Sequence, residues 1–164
     1  MRPLHLQRRL KPAIQIVPFR RRQLDAILRI ERASFAREAY SRAFFLELYR
    51  ECGGLFFVAK RAGRIGAYMV TCVDHGVAEI VSVAVHPDHR RHGLARALIA
   101  HTFRALRARR IRRVELRVRV TNAAGLALYR SFGFRRAGLD LGYYEDGGDA
   151  VRMRLALQYP HGRS

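Results

Sequence analysis

The stretch VAEIVSVAVHPDHRRHGLARALIAH, residues 77–101, decides the fold. Residues 77–85 are β-branched or small, interrupted by one acid, Glu79, and they predict a strand. Pro87 ends it, because proline has no N–H to give to a ladder. From Gly93 the period changes. Leu94, Leu98, His101/Thr102 and Ala105 recur at helical spacing, which predicts a helix to residue 109. Between strand and helix lies Arg90-Arg91-His92-Gly93-Leu94-Ala95. Backbone N–H groups at such a helix start point outward, and the helix dipole favours an anion there. Gly93 and Ala95 offer little side chain to block a pyrophosphate, while Arg90, Arg91 and His92 supply positive charge. The loop is therefore read as a cradle for a nucleotide-like cofactor. The patterns G-x-G-x-x-G and G-x-x-x-x-G-K-[ST] are both absent, which argues against the common glycine-rich dinucleotide and P-loop folds.

Downstream, residues 114–120 alternate strictly, with Val114, Leu116, Val118 and Val120 on one side and Glu115, Arg117 and Arg119 on the other. Thr121 or Asn122 caps a short helix to about Ser131, and Gly133 closes it. Two strands, 134–144 and 150–157, flank an Asp146-Gly147-Gly148 turn. Upstream, 14–17 predicts a short strand and 20–35 an amphipathic helix with Leu24, Ile27, Leu28 and Ile30 on its apolar side. Ser41 caps a second helix bearing Phe44, Phe45, Leu48 and Tyr49, ended by Gly53-Gly54. Strands 55–59, 65–73 and 77–85 follow as an antiparallel meander, with turns at 61–64 and 74–76. The central strand–helix–strand run implies a right-handed crossover between parallel strands. The expected architecture is α/β (α+β): a mixed central sheet of about seven strands with flanking helices. One domain, 14–158, is expected between a basic arm, 1–13, and a tail, 159–164, without internal repeats.

Composition bounds the rest. At 49% hydrophobic residues in 164, the chain can bury a core. No apolar run reaches the ~18 residues of a membrane span, and no cleavable leader is read at the basic N-terminus. Cys52 and Cys72 form no metal pattern and are expected as separate packing thiols in a reducing, cytoplasmic setting. His86, His89 and His92 recur at three-residue spacing. Pro87 breaks any helix there and no carboxylate completes a set, so they are read as a basic rim and no metal site is expected. The net charge is +19, with lysine only at Lys11 and Lys60. A balance this basic favours acidic partners: phosphorylated cofactors, acidic proteins, the ribosome or nucleic acid.

Taken together, these residues resemble the GNAT acetyltransferases. Arg90 to Ala95 is similar to that superfamily's Q/R-x-x-G-x-G/A loop, and residues 78–85 to its central strand. Thr121-Asn122-Ala123-Ala124 through Leu128-Tyr129 and Gly133-Phe134 resembles its N-x-x-A-x-x-L-Y-x-x-x-G-F motif. Tyr143-Tyr144, with Asp149-Ala150 and Met153, resembles the last hairpin of the protein N-terminal acetyltransferase branch, which includes the ribosomal-protein alanine enzymes. The first seventy residues fit only in element order.

The resemblance implies a GNAT fold whose central parallel strands splay, with the arm of acetyl-CoA lying in the gap. The backbone of Val83, Ala84 and Val85 would pair with that arm. Arg90, Arg91, His92, Gly93, Leu94, Ala95 and Arg96 would hold the pyrophosphate, and Asn122 would contact the arm. Tyr129 would stand at the sulfur and protonate the departing thiolate. The residue five before the motif asparagine, a Glu or His in the N-terminal branch, is here Arg117, which cannot act as a base. Glu79 matches the catalytic glutamate of histone-type lysine acetyltransferases and is the expected base; Glu115 and Glu31 are weaker alternatives. Arg117 is expected to pair with Glu79 or Glu115. Glu31, Tyr143 and Tyr144 are expected to meet the acceptor. The expected activity is direct transfer of acetyl from acetyl-CoA to a protein amine, α-amine or lysine, on an acidic or ribosome-associated acceptor, by a monomer or homodimer. A small-molecule amine acetyltransferase and a basic RNA- or ribosome-binding protein are the alternatives.

Overall fold

A computed structural model describes residues 11–159. Most of the expected arm and nearly all of the expected tail lie outside the described residues. The elements are β1 Ile14–Pro18, α1 Leu24–Phe35, α2 Arg42–Cys52, β2 Phe56–Arg61, β3 Arg64–Asp74, β4 Val77–Val85, α3 Leu94–Ala108, β5 Arg113–Arg119, α4 Ala123–Ser131, β6 Arg135–Asp140 and β7 Ala150–Ala156. The sheet runs β1-β2-β3-β4-β5-β7-β6. Only β4 and β5 are parallel, because α3 crosses between them; each other neighbouring pair is antiparallel. The mixed α/β sheet read from the sequence is therefore present, with seven strands.

Local chemistry sets most boundaries. Ser41 caps α2 by accepting the Phe44 N–H at 3.2 Å. Ala62-Gly63 and His75-Gly76 both take positive φ, which gives the tight turns that join β2 to β3 and β3 to β4. The expected helix over 20–35 starts later, at Leu24. Residues Arg21–Gln23 form a single 3-10 turn, tied down by the Gln23 side chain on the Arg20 N–H. The strand expected over 134–144 stops at Asp140. Beyond it the chain folds on itself, with the Gly142 N–H on Asp149 at 2.8 Å and the Tyr144 N–H on the Gly148 carbonyl at 3.1 Å.

Helices cover both sheet faces and make two cores. Leu94, Leu98, Ile99, Phe103 and Leu106 of α3 pack on one face with Ile80, Val114, Leu116 and Val118. Ile27, Leu28 and Ile30 of α1 and Phe45 and Leu48 of α2 pack on the other with Phe56, Val58 and Tyr68. A bulge in β4 links the two. The β3–β4 register runs Val70↔Ser82 and then Thr71↔Ile80, so Val81 is the extra residue. Ala78 and Ile80 therefore face α3, whereas Ala84 faces α1 and α2.

The cysteines correct the expectation. Cys52, at the end of α2, and Cys72 of β3 form a disulfide, with their Cα atoms 5.1 Å apart. Docking of α2 on β3 brings together two residues 20 apart in sequence. They are not separate packing thiols, and the reducing compartment inferred from them loses that support. Among the described residues, no helix is long and apolar enough to cross a membrane.

Candidate active site

β4 and β5 pair only from Val77–Ile80 to Arg113–Leu116. Past that point β4 stays with β3 as far as Val85, and β5 stays with β7 as far as Arg119. The two parallel strands thus part in the middle of the sheet. Residues 81–85 keep a backbone edge that β5 does not use, which is the kind of edge an extended chain can pair with. Val83, Ala84 and Val85 lie on it. The Val85 carbonyl is already engaged, accepting from Arg90 Nε at 3.3 Å and Ser34 Oγ at 3.5 Å.

The loop from Arg90 to Ala95 sits at the open end of this gap. Arg91 (φ 63°) and Gly93 (φ 81°) are both left-handed, a backbone form in which successive N–H groups converge on an anion. Arg90, Arg91 and His92 are exposed, while Leu94 is 1% exposed and anchors the start of α3 in the core. Gly66 makes room beneath: a Cβ there would come within 2.6 Å of His89 and 2.8 Å of Leu94. His86 and His89 are thereby partly structural. His86 Nδ1 accepts the Asp88 N–H at 3.2 Å, and His89 packs on Gly66, where burial pushes its pKa down. Among the described residues no cluster of three metal-ligating side chains occurs. Arg96 turns toward α4, with Nη2 on Ser131 Oγ at 3.0 Å and its guanidinium over Phe132. Asn122 caps α4, its Oδ1 accepting the Gly125 N–H at 2.9 Å. Tyr129 is 8% exposed and shares the core cluster of Ile80, Leu116 and Val118, the residues around the fork. Burial, and then the charge of nearby Tyr144, raises its pKa. Its hydroxyl makes no hydrogen bond among the described residues.

Glu79 stands opposite Glu115 in the parallel ladder, just before the strands part. Its side chain is half-exposed, and Arg117 Nη1 holds Oε1 at 2.9 Å. Arg117 also donates Nε to Asp140 at 2.7 Å, and its guanidinium lies 5.2 Å from the Tyr143 ring centre. The bond to Arg117 holds the Asp140 carboxyl below its ordinary pKa, and the same bond raises that of Arg117. Glu115 is taken by Arg154 at 2.9 Å and by Arg113 at 3.4 Å. Of the expected pairings, Arg117 makes the one with Glu79.

Glu31 is placed differently from its expected position on the acceptor. It is 1% exposed, and its carboxylate accepts the Tyr40 N–H at 3.0 Å and the Tyr68 hydroxyl, which in turn lies 2.8 Å from Ser82 Oγ. Burial raises its pKa. It supports the turn between α1 and α2 from beneath. Tyr143 is half-exposed in the loop between β6 and β7, and Tyr144 beside it stacks on Arg119, 4.0 Å from ring centre to guanidinium. Arg119 in turn binds Glu38 and Asp146. Neither Glu38 nor Arg119 stands out in the sequence as a site residue. For Arg119 the alternation of β5 carries a signal, since it shares a face with Glu115 and Arg117. Glu38 lies in an aperiodic turn and carries none.

A parted pair of parallel strands with an anion-binding loop at one end suits an extended cofactor that carries phosphate. Residues 24–134 match the Acetyltransferase (GNAT) family, and the chain belongs to it. It is 33% identical over 147 residues to an N-alpha-acetyltransferase of Sulfolobus acidocaldarius, covering 82% of this chain and 87% of that one. It is 39% identical over 106 residues to the [ribosomal protein bS18]-alanine N-acetyltransferase of Escherichia coli K12, covering 63% of this chain and 72% of that one. The crystal structure of the ribosomal-protein-S18-alanine N-acetyltransferase from Escherichia coli superimposes with a TM-score of 0.80 at 31% identity, covering 93% of this chain and 99% of that one. The protein is an acetyl-CoA-dependent N-acetyltransferase.

Proposed function

We propose that the chain acetylates the N-terminal α-amine of a protein, with Glu79 accepting the proton of the amine and Tyr129 supplying one to the leaving group. The placement of Glu79 carries this reading: a half-exposed carboxylate at the fork, fixed by Arg117 at 2.9 Å. An α-amine has an ordinary pKa near ~7.8 and a lysine near ~10.4, so at neutral pH the α-amine is uncharged about a few hundred times more often. An open carboxylate working directly or through water suffices for the first and is poorly matched to the second. The groove beside the fork holds four carboxylates, Glu38, Glu79, Asp140 and Asp146, against three arginines, Arg117, Arg119 and Arg152. On a molecule of net charge +19, that local excess of acid favours an incoming ammonium. The names of the relatives, N-alpha and ribosomal-protein alanine acetyltransferases, support the same acceptor class. The basic remainder of the surface suits an acceptor presented on an anionic body such as the ribosome.

Bound acetyl-CoA supplies the acetyl group as a thioester, which passes to the amine nitrogen with release of a thiolate. The turn at Arg91 and Gly93, with the flanking Arg90, His92 and Arg96 and the N–H groups of Leu94 and Ala95, holds the pyrophosphate. The open edge at Val83 and Ala84 orients the arm, and its N–H groups stabilise developing negative charge on oxygen. Asn122, whose Oδ1 caps α4, keeps its Nδ2 for the same arm. The raised pKa keeps the Tyr129 Oη protonated, so it acts as a donor. Tyr143 and Tyr144 wall the acceptor peptide, and Glu31 acts by fixing Tyr40.

Peptides that differ only in a free or blocked N-terminus, incubated with acetyl-CoA and read by mass, test this. The free peptides gain acetyl, and Glu79→Gln and Tyr129→Phe each slow the gain by about 10²-fold or more. Acetylation of a small amine such as spermidine, with no peptide modified, overturns the reading.

A further inference from the structure

The two loops beside the fork are far apart in sequence, and one side chain joins them. Arg119, the last residue of β5, gives Nη2 to Glu38 Oε1 at 2.5 Å and Nη1 to both carboxylate oxygens of Asp146 at 3.0 Å. Glu38 belongs to the turn between α1 and α2, 81 residues away; Asp146 belongs to the loop between β6 and β7, 27 residues away. The guanidinium also lies over Tyr144, 4.0 Å from its ring centre. Arg119 is 23% exposed, less than either carboxylate it binds. A planar fork of donors serves two carboxylates and a ring at once, which the single ammonium of lysine cannot.

The surroundings are cut to admit this side chain. A Cβ on Gly148 would stand 2.2 Å from Arg119 Nη1. Asp146 is held toward it by the Gly148 N–H at 2.9 Å. On the other wall, Ala36 sits at φ 46° and ψ −111°, a positive-φ conformation that a non-glycine residue keeps only where its neighbours over-determine it. Glu38, two residues on, is pinned by Arg119, and Tyr40 by Glu31. Arg117, on the same face of β5, serves Glu79 and Asp140 instead, so the two arginines have separate tasks.

We propose that Arg119 is a positioning residue that latches the two walls of the acceptor groove and sets its width, acting on acceptor binding rather than on acetyl transfer. This rests on reading that groove as the acceptor site. The bond pattern makes the effect separable: Glu38 ties one wall and Asp146 the other, so each can be released alone.

The test combines steady-state kinetics with hydrogen exchange of the full chain. Arg119→Met raises the KM for the acceptor peptide by about tenfold or more, moves kcat at saturating peptide less than about threefold, and leaves the KM for acetyl-CoA unchanged. It also speeds exchange at the Ala39 and Tyr40 amides and at Gly147 and Gly148. Glu38→Gln speeds exchange only at the first pair. Asp146→Asn speeds it only at Gly147, since the asparagine oxygen still accepts from the Gly148 N–H. Arg119→Lys restores protection to one wall. The exchange pattern does not depend on which amine is acetylated, so it reports on the latch even if the α-amine reading fails. Unchanged exchange at both walls in Arg119→Met, or a loss falling on kcat with the acceptor KM unmoved, overturns the proposal.

Discussion

Glu79, held by Arg117 at 2.9 Å, and the buried Tyr129 carry the proposed chemistry at the scale of single residues. Glu79 is an acid in an otherwise apolar strand, and Tyr129 stands in a helix motif whose spacing was legible. The expectation that Arg117 reaches Glu79 follows from alternation on β5, and the 2.9 Å contact matches it. Glu31 was not legible: its position on α1 fits both an exposed edge and a buried one, and only the docking of Tyr68 decides. Two consequences belong at this scale. Tyr129→Phe keeps the ring and its packing on Phe134, so the melting temperature stays within about 2 °C, while kcat falls about 10²-fold. Glu31 and Asp140 respond to pH in opposite senses. Burial raises the Glu31 pKa, so the stability tied to its protonated form is full below the ordinary value of 4.5 and is lost as pH rises through the raised one. The Asp140 pKa is lowered by its bond to Arg117, so its contribution is present above 3.8 and is lost as pH falls through the depressed value. Urea unfolding across pH shows this. Glu31→Gln removes the fall in stability above pH 4.5, and Asp140→Asn removes part of the fall below pH 3.8.

At the scale of elements, the bounds of β4, the caps of α2 and α4 and the turns at Gly63 and Gly76 were readable, because each rests on a local residue preference. The bulge at Val81 and the foldback after Asp140 were not, since both depend on what the neighbouring strands offer. The disulfide was missed for the same reason: 20 residues separate two cysteines that only packing brings together. Closing a loop of that size stabilises by about 3 kcal/mol. Reduction therefore lowers the urea midpoint, and thiol titration of the denatured chain counts two thiols only after reduction. An unreduced chain with two titratable thiols contradicts the pairing. The cofactor loop gives a second test. Gly93 at φ 81° tolerates a side chain in space, its nearest neighbour being Ile14 at 3.9 Å, but not in conformation. Gly93→Ala costs about 1–2 kcal/mol of loop geometry, which calorimetry reads as roughly tenfold weaker coenzyme A binding with the acceptor KM unchanged.

Along the chain, charge is unevenly spread. From His89 to Arg113 there is no acid, and arginines run from the cofactor loop along α3 to the start of β5. Four of the thirteen acids, Glu38, Glu79, Asp140 and Asp146, stand around the fork and its two loops. Net charge alone pointed to acidic partners; on the proposed reading, the carboxylates at the fork face the ammonium of the acceptor while arginines dominate the exterior. Composition cannot show such a division, because it follows from which strand edges the fold brings together. Salt should therefore act on encounter more than on chemistry, raising the acceptor KM while kcat holds. The most direct test of the central claim uses one peptide carrying both a free α-amine and an internal lysine, incubated with the enzyme and acetyl-CoA and sequenced by tandem mass spectrometry. The account predicts acetyl on the α-amine, with Glu79→Gln abolishing most of it. Acetyl on the lysine, or an unaltered rate in Glu79→Gln, contradicts it.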